Sequence, residues 1–442
     1  MRLEIEKLRG WVNPADAFLA MHSKDPNAFW LDRSTNQDEP VSVIGSAGSV
    51  IEAVEGAFAL ASEHLSAINQ AIVSLPDQEI PFSFRPGLVG FLGYELGEKN
   101  QQGIHPKAQF MIVDRAMVFD HTTKSMYFIG LFETRDEFVN WYRAALLRLT
   151  LVGGEVAAYK QRTKEPKLIS SSLRHSKESY LELIQKAKEH IKTGDVFQLC
   201  LTNQISIEHD ADALKTFLSL RESNPAPYGG YLKLGDVEIV SSSPEQFLKV
   251  SASGKVSSKP IKGTRPRSKD LAEDTQIADE LVNNEKERAE NLMIVDLMRN
   301  DLGRVCAADS VVVEKLFDIE SYATVHQLVS TVTGALKAGQ SATSALAACF
   351  PAGSMTGAPK IRAVEILKEL EAAPREIYSG AFGYLGFDGS ADFGMTIRTL
   401  VFRGNSASLG VGGGITIDSD PASEFEETML KSKALLRALG GN

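Results

Sequence analysis

Apolar positions recur at helical spacing after Ser176. Tyr180, Ile184, Ala187 and Ile191 fall on one face of a segment that Ser176 can cap, with Glu178 in its first turn and Gly194 as a stop. That pattern predicts an amphipathic helix packed on a sheet. Further helical stretches are predicted from Val50 to His64, around 272–299 and around 423–438. Strand-like runs alternate with them: Gly87 to Phe91, Ala116 to Phe119, Glu238 to Ser241, Gly380 to Phe387 and Ala407 to Val411. The mixture predicts an α+β fold of layered sheets and helices, without a regular βαβ alternation. No repeat with a period of about 20–50 residues is visible, which speaks against a solenoid or a propeller. The clearest break is Gly153 to His175, polar and rich in Lys, Arg and Ser with no sustained apolar period. It divides the chain into an N-terminal α+β region, 1–153, a linker, 154–175, and a second region, 176–442.

Composition narrows the partners. The 442 residues are 43% hydrophobic and 24% charged, enough for a substantial core. A net charge of −10 and a pI near 5.5 argue against nucleic acid or an anionic membrane, which would want a basic face. Any anionic ligand must therefore meet a local basic site. Cys200, Cys306 and Cys349 lie far apart and suggest neither a disulfide framework nor a zinc cluster. The start of the chain has no continuous apolar region, and no run of about 18 apolar residues follows. A cytoplasmic protein without a membrane partner is expected.

Two carboxylate pairs can carry chemistry. Glu287 and Glu290 are three residues apart in one helical stretch, and Glu424 and Glu427 are three apart in the last helix, so each pair shares a helix face. Glu424, Glu427 and Lys431 fall in one arc, with Phe425, Met429 and Leu436 opposite. Either pair alone also reads as a solvated acidic face. The first runs into Asn291-Leu292-Met293-Ile294-Val295, however, which places Glu290 near buried territory where a lone carboxylate is costly. Oxygen-only ligands of this kind suit Mg²⁺. The counterpart is Lys259 to Arg267, four cations among two prolines and a glycine, read as a rigid basic loop. Neighbouring cations and partial burial would lower the pKa of Lys262 and favour its nucleophilic amine. The Gly410 to Ile415 and Gly353 to Lys360 segments match neither a dinucleotide fingerprint nor a P-loop. They read either as tight turns or as places where backbone N–H groups approach an anion. His326, in an apolar context, reads by itself as a satisfied core histidine.

Together these segments resemble the chorismate-utilising enzymes, which include anthranilate, aminodeoxychorismate, isochorismate and salicylate synthases. The resemblance rests on Asp195-Val196-Phe197-Gln198, Ser241-Ser242-Ser243-Pro244-Glu245, Pro260 to Arg267, Glu287 to Asp296 and Arg299-Asn300-Asp301-Leu302-Gly303. It continues through Pro351 to Lys360, Tyr378-Ser379-Gly380, Ile397-Arg398-Thr399, Gly412 to Ile415 and Glu424 to Lys431. It covers roughly 175–438, and the first region agrees more loosely through Phe91-Leu92-Gly93-Tyr94-Glu95.

The resemblance implies a layered α/β/β/α, anthranilate-synthase-like fold with two intertwined subdomains. It implies Mg²⁺ held by Glu287, Glu290, Glu424 and Glu427 against the ring carboxylate of chorismate. Arg398 and Tyr378 would take the pyruvyl carboxylate, Lys431, Ser354 and the Gly414 backbone would complete the pocket, and His326 would be a catalytic residue within it. Members that add water carry a lysine base in the block where Gln198 stands here. Anthranilate synthases read Pro-Ile-Ala-Gly-Thr where this chain reads Pro260-Ile261-Lys262-Gly263-Thr264, as aminodeoxychorismate synthases do. Lys262 is thereby implied as the nucleophile at ring C2, with Glu245 as general acid for the departing C4 hydroxyl. None of the three cysteines sits on a glutaminase-type elbow. Ammonia is expected from a separate glutaminase subunit or from solution, and a separate lyase is expected to finish 4-aminobenzoate. The rival readings are an anthranilate synthase and a non-catalytic sensor of aromatic metabolites. Related anthranilate synthases bind tryptophan near a Leu-Leu-Glu-Ser motif and an Asn-Pro segment, from which Trp30-Leu31-Asp32-Arg33 departs at Asp32 and Arg33, with Asn224-Pro225 present.

Overall fold

A computed structural model describes residues 1–8, 10–76, 78–97 and 103–441. Its middle is two antiparallel sheets, of twelve and ten strands among the described residues, with helices on their outer faces. Strand alternation builds the layers. In Asn27–Asp32, Phe29 and Leu31 point into the cluster between the sheets, while Trp30 points outward among Phe18, Phe217 and other residues of the helical layer. Phe91, Phe382, Tyr384 and Ile239 share the inter-sheet cluster. Outside the ten-stranded sheet, Ile294, Met298 and Leu346 of helices Glu285–Val305 and Ala342–Cys349 pack on Leu88 and Phe393. Each such fully buried side chain contributes about 1.5–3 kcal/mol. No described helix is long and apolar enough to cross a membrane.

Both sheets mix the two halves of the chain. Asn27–Asp32 pairs with Tyr228–Leu234 in the larger sheet, and Gly87–Leu92 with Ala381–Gly386 in the smaller. The halves are thus intertwined, as the layered α/β/β/α expectation requires. The 154–175 stretch read as a linker is itself structured, with a helix at Glu155–Arg162 and a strand at Leu168–Leu173 that pairs with Gln198–His209. Its polarity reflects an edge strand whose four central residues, Ile169 to Ser172, are all exposed.

The helix after Ser176 spans Lys177–Lys192, capped by the Ser176 hydroxyl as expected. Three other expectations change. Val50 to His64 divides into a strand, Val50–Ala53, and a helix, Ala57–Ala71, separated by Gly56 at φ 66°. The 272–299 stretch is two helices, Leu271–Asn283 and Glu285–Val305, broken at Asn284, whose side chain caps the second. The basic loop is a strand, Ile261–Pro266, paired with Val325–Ala335. It lies at the sheet edge, where proline removes no ladder bond that a neighbour needs.

Candidate functional site

The edge strand aims one cation into a cleft. Lys262 pairs with Leu328 and Thr264 with Gln327, so Gly263 is an extra, bulged residue, at φ +77°. A Cβ there would stand 2.9 Å from Glu287 Cδ and 2.8 Å from Leu281 Cδ1, so only glycine fits both the turn and the approach of the helix. Lys262, 13% exposed, brings Nζ to 3.7 Å from Glu290 Oε2. A Cβ added to Gly414 would lie 3.3 Å from Lys262 Nζ and 2.6 Å from Gln198 Nε2, so the glycine strand floors the cleft. The other cations of the segment are engaged elsewhere: Lys259 with Asp38 and Glu320, Arg265 with Glu280 and Glu287, Arg267 with Asp274. The nearest charge to Lys262 is therefore the Glu290 carboxylate, which Lys286 also approaches, and not another cation of its own segment.

Glu245 is buried just beyond strand Val237–Ser243. Phe247, Pro260, Ile294, Met298, Ala352 and Met395 line the small space around it. Burial pushes its carboxyl up to about 7, against the pull of the Ser354 hydroxyl, Lys262 and the Ile261 N–H. A carboxyl so placed holds a proton near neutral pH and can donate it, as a general acid must.

The two glutamate pairs meet across the cleft. The Lys286 ammonium lies 3.9 Å from Glu290 Oε1 and 3.7 Å from Glu424 Oε1, bridging helices Glu285–Val305 and Pro421–Ala438. Glu424 also accepts from the Ser419 hydroxyl at 2.7 Å. Burial pushes Glu290 up, and the like charges of Glu287 and Glu424 add to this against Lys262 and Lys286. Glu287 turns to Arg265 at 3.4 Å and Glu427 to Lys431 at 2.9 Å. For Glu427 the upward push of burial is outweighed by Lys431, which holds the carboxyl below its ordinary value. Lys431 Nζ also donates to the Gly412 carbonyl at 2.9 Å. Among the described residues, no three acidic, imidazole or thiol side chains are gathered closely enough to hold a metal as they stand. The last helix buries Glu424 and Thr428 together with Phe425 and Leu435, so its acidic face turns inward at Glu424 instead of being wholly solvated.

Arg398, at φ +51°, follows strand Ala391–Met395. Burial lowers its pKa against Tyr378 and Glu427, yet its half-buried guanidinium has no carboxylate at ion-pair distance among the described residues. Such a group is suited to an incoming anion. Burial raises the Tyr378 hydroxyl, which stays a neutral donor, and a Cβ on Gly410 would clash with Tyr378 Cγ. His326 has its own hydrogen-bond partners. Its Nδ1 meets Ser321 Oγ at 2.7 Å and its Nε2 meets Asp274 Oδ1 at 3.0 Å, so both ring nitrogens are occupied. The structure thus brings together Lys262, Glu245, Ser354, Gly414 and Glu290, sets Glu424, Glu427, Lys431, Arg398 and Tyr378 along the same floor, and satisfies His326 with Ser321 and Asp274. Lys286 and Ser419 went unread in the sequence. The spacing of Lys286 to Glu290, one helical turn, was a usable signal, whereas nothing local marks Ser419.

The sequence profile of the chorismate binding enzymes matches residues 26–437. The chain belongs to the chorismate-binding enzyme family. Within it, the aminodeoxychorismate synthase of Streptomyces griseus is 40% identical over 96% of this chain and 62% of its own length. The anthranilate synthase component 1 of Synechocystis sp. is 40% identical over 80% of this chain and 76% of its own. The chain spans under two thirds of the length of the Streptomyces griseus and Streptomyces pristinaespiralis aminodeoxychorismate synthases, 62% and 65%. The crystal structure of anthranilate synthase component I from Streptococcus pneumoniae superposes with a TM-score of 0.76 at 28% identity, covering 98% of this chain and 92% of that one. The menaquinone-specific isochorismate synthase MenF from Escherichia coli shares the fold, with a TM-score of 0.74 at 16% identity, covering 99% of this chain and 94% of that one.

Arg33, at the end of the Asn27–Asp32 strand, is buried. Its guanidinium stacks 4.3 Å from the Tyr228 ring and 5.4 Å from the Phe382 ring, and donates to the Gly229 carbonyl at 2.9 Å. The cavity left beside it is about 20 Å³. That is room for about one water and too little for an amino acid.

Proposed function

We propose that the chain replaces the C4 hydroxyl of chorismate with an amino group, giving 4-amino-4-deoxychorismate on the way to 4-aminobenzoate and folate. The observation that carries this reading is the convergence of the Lys262 amine and the buried Glu245 carboxyl on one glycine-floored cleft. Lys262, once its ammonium has given up a proton to solvent, adds through the neutral amine at ring C2 while the ring double bonds shift and the C4–O bond breaks. Glu245 gives its proton to the departing hydroxyl, which leaves as water. Ammonia then adds at C4, the double bonds shift back, and the C2–N bond breaks to release the lysine amine. Two displacements put nitrogen where oxygen was.

Chorismate is a dianion, so the cleft must answer two carboxylates. Arg398 and Tyr378 would take the pyruvyl carboxylate, with Ser354, the Gly414 backbone and Lys431 lining the pocket. Glu287, Glu290, Glu424 and Glu427 would hold Mg²⁺. The donor set is all oxygen, and the Lys286 ammonium between Glu290 and Glu424 shows that positive charge is accommodated there, which fits a hard divalent cation. When bound, Mg²⁺ supplies positive charge to a substrate carboxylate. For the four glutamates to face a cation, Lys286 would have to leave Glu290 and Glu424, and Lys431 would have to leave Glu427.

A glutaminase subunit would supply the ammonia, and the cytoplasm would be the compartment. The test is to incubate the chain with chorismate, Mg²⁺ and ammonium at alkaline pH and identify the product by chromatography and mass. 4-Amino-4-deoxychorismate, converted to 4-aminobenzoate only on addition of a lyase, supports the reading. Fluorescent anthranilate without a lyase would replace it with the anthranilate synthase reading, and no turnover of chorismate with an intact fold would leave a binding module.

A further inference from the structure

The Phe91 to Glu95 segment, far from the cleft in sequence, has no part in the chemistry above. Glu95 lies in the turn Tyr94–Gly97 and is buried. Its carboxylate accepts the backbone N–H of Arg375 at 2.6 Å and of Glu376 at 3.0 Å. Arg375 is itself buried, with its guanidinium 4.3 Å from the Tyr94 ring. Nε and Nη2 form a fork on Glu371 at 2.8 and 2.7 Å. The remaining donors go to the Cys200 carbonyl at 2.8 Å, the Met355 carbonyl at 2.6 Å and the Ser379 hydroxyl at 3.4 Å.

Each of those acceptors adjoins a group of the cleft. Met355 follows Ser354, whose hydroxyl reaches Glu245. Ser379 follows Tyr378. Cys200 lies opposite Gly414 in the sheet register. Glu371 extends the same control, since its Oε1 accepts from the Thr202 N–H at 2.8 Å and the Thr202 hydroxyl at 2.9 Å, and Thr202 lies opposite Gly412. Fold stability alone gives little reason for such an arrangement, because a buried ion pair replaced by apolar side chains of similar volume is often neutral or stabilising. A rigid planar fork with five donors, in contrast, can fix several acceptors at once, which no apolar side chain does.

We propose that Arg375, clamped by Glu371 and Glu95, is a positioning residue that sets the three backbone segments carrying Ser354, Tyr378 and the Gly412–Gly414 floor. The N-terminal Phe91 to Glu95 segment thereby acts on the cleft through Arg375. This rests on the proposed use of that cleft for chorismate, and the test separates the two. Arg375→Lys keeps the charge and loses the fork. In that variant amide exchange across 353–357, 378–380 and 410–415 accelerates about tenfold or more, while strands Arg2–Leu8 and Ser125–Phe132 exchange as in the wild type. Per folded molecule, kcat on chorismate with saturating ammonium falls about a hundredfold, the scale of a small misplacement of reacting groups, and KM for chorismate rises. Should Arg375→Lys not fold, Glu95→Gln is measured in the same way, with about tenfold expected in kcat. If the wild type makes a different product, the proposed reaction fails, while exchange and kinetics on that product still test the positioning role. A folded variant with wild-type kcat and KM overturns the proposal, whatever its melting temperature.

Discussion

The cleft has two sides that set the same side chain among different neighbours. On one, Glu245 is buried beside Phe247, Ile294 and Met298 with little positive charge to offset burial, and its carboxyl rises to about 7. On the other, Glu427 is 55% exposed and paired with Lys431, which holds it below its ordinary value, while Glu424 and Glu290 share the Lys286 ammonium. On the proposed function, desolvation would make Glu245 a proton donor, and the mixed lattice of carboxylates and ammonium groups would make a place for a cation.

The largest break in that contrast is Glu245→Gln. Product formation should fall about 10²–10⁴-fold, the usual span for a lost general acid, while calorimetric affinity for chorismate changes less than about threefold. The same variant sharpens the comparison through stability. Because folding raises the Glu245 pKa from 4.5 to about 7, the folded state binds the proton more tightly than the unfolded chain. Its contribution is fully present below 4.5 and is lost as pH rises through about 7. Glu245→Gln should therefore melt higher than the wild type at pH about 8, with the gain disappearing near pH about 4.5. A gain independent of pH would show that Glu245 does not titrate there. On the other side of the cleft, Glu290→Gln should lower the rate about a hundredfold and raise the Mg²⁺ concentration for half-maximal activity. Glu427→Gln, at a more exposed position, should do the same by about tenfold. Full wild-type activity in EDTA would remove the metal from the scheme. The smallest kinetic effect belongs to His326→Phe. It should lower Tm by several degrees through loss of the Asp274 and Ser321 hydrogen bonds, with kcat within about twofold of the wild type. A hundredfold loss in a folded His326→Phe protein would return His326 to the reacting groups.

Much of this was legible in the sequence because it is local. The Ser176-capped helix, the strands at 87–92 and 406–415, and the helical spacing of Glu287 with Glu290 and Glu424 with Glu427 follow from rules that act within a few residues. The α+β class followed from the mixture of those periods, and the layered order from the family resemblance. What was not legible is mostly long-range. The Lys259 to Arg267 segment looks like a loop by its prolines and glycine, and becomes a strand only because Val325–Ala335 lies beside it. The carboxylate neighbours of Lys262 come from elements other than its own, so cations adjacent in sequence were a poor guide to its field. Asn284 ends one helix and caps the next, a division hidden inside a continuous helical pattern. The partners of His326, Asp274 and Ser321, converge on it only in three dimensions.

The central claim is that Lys262 forms and then breaks a bond to the ring. It is tested most directly by intact-protein and peptide mass analysis after incubation with chorismate and Mg²⁺ in the absence of ammonia. Without the second nucleophile the second displacement stops. The wild-type chain should carry a chorismate-derived adduct on Lys262 that disappears when ammonium is added and never forms in Lys262→Ala. An unmodified wild-type chain after long incubation, with an unchanged rate of 4-amino product formation in Lys262→Ala, would contradict it.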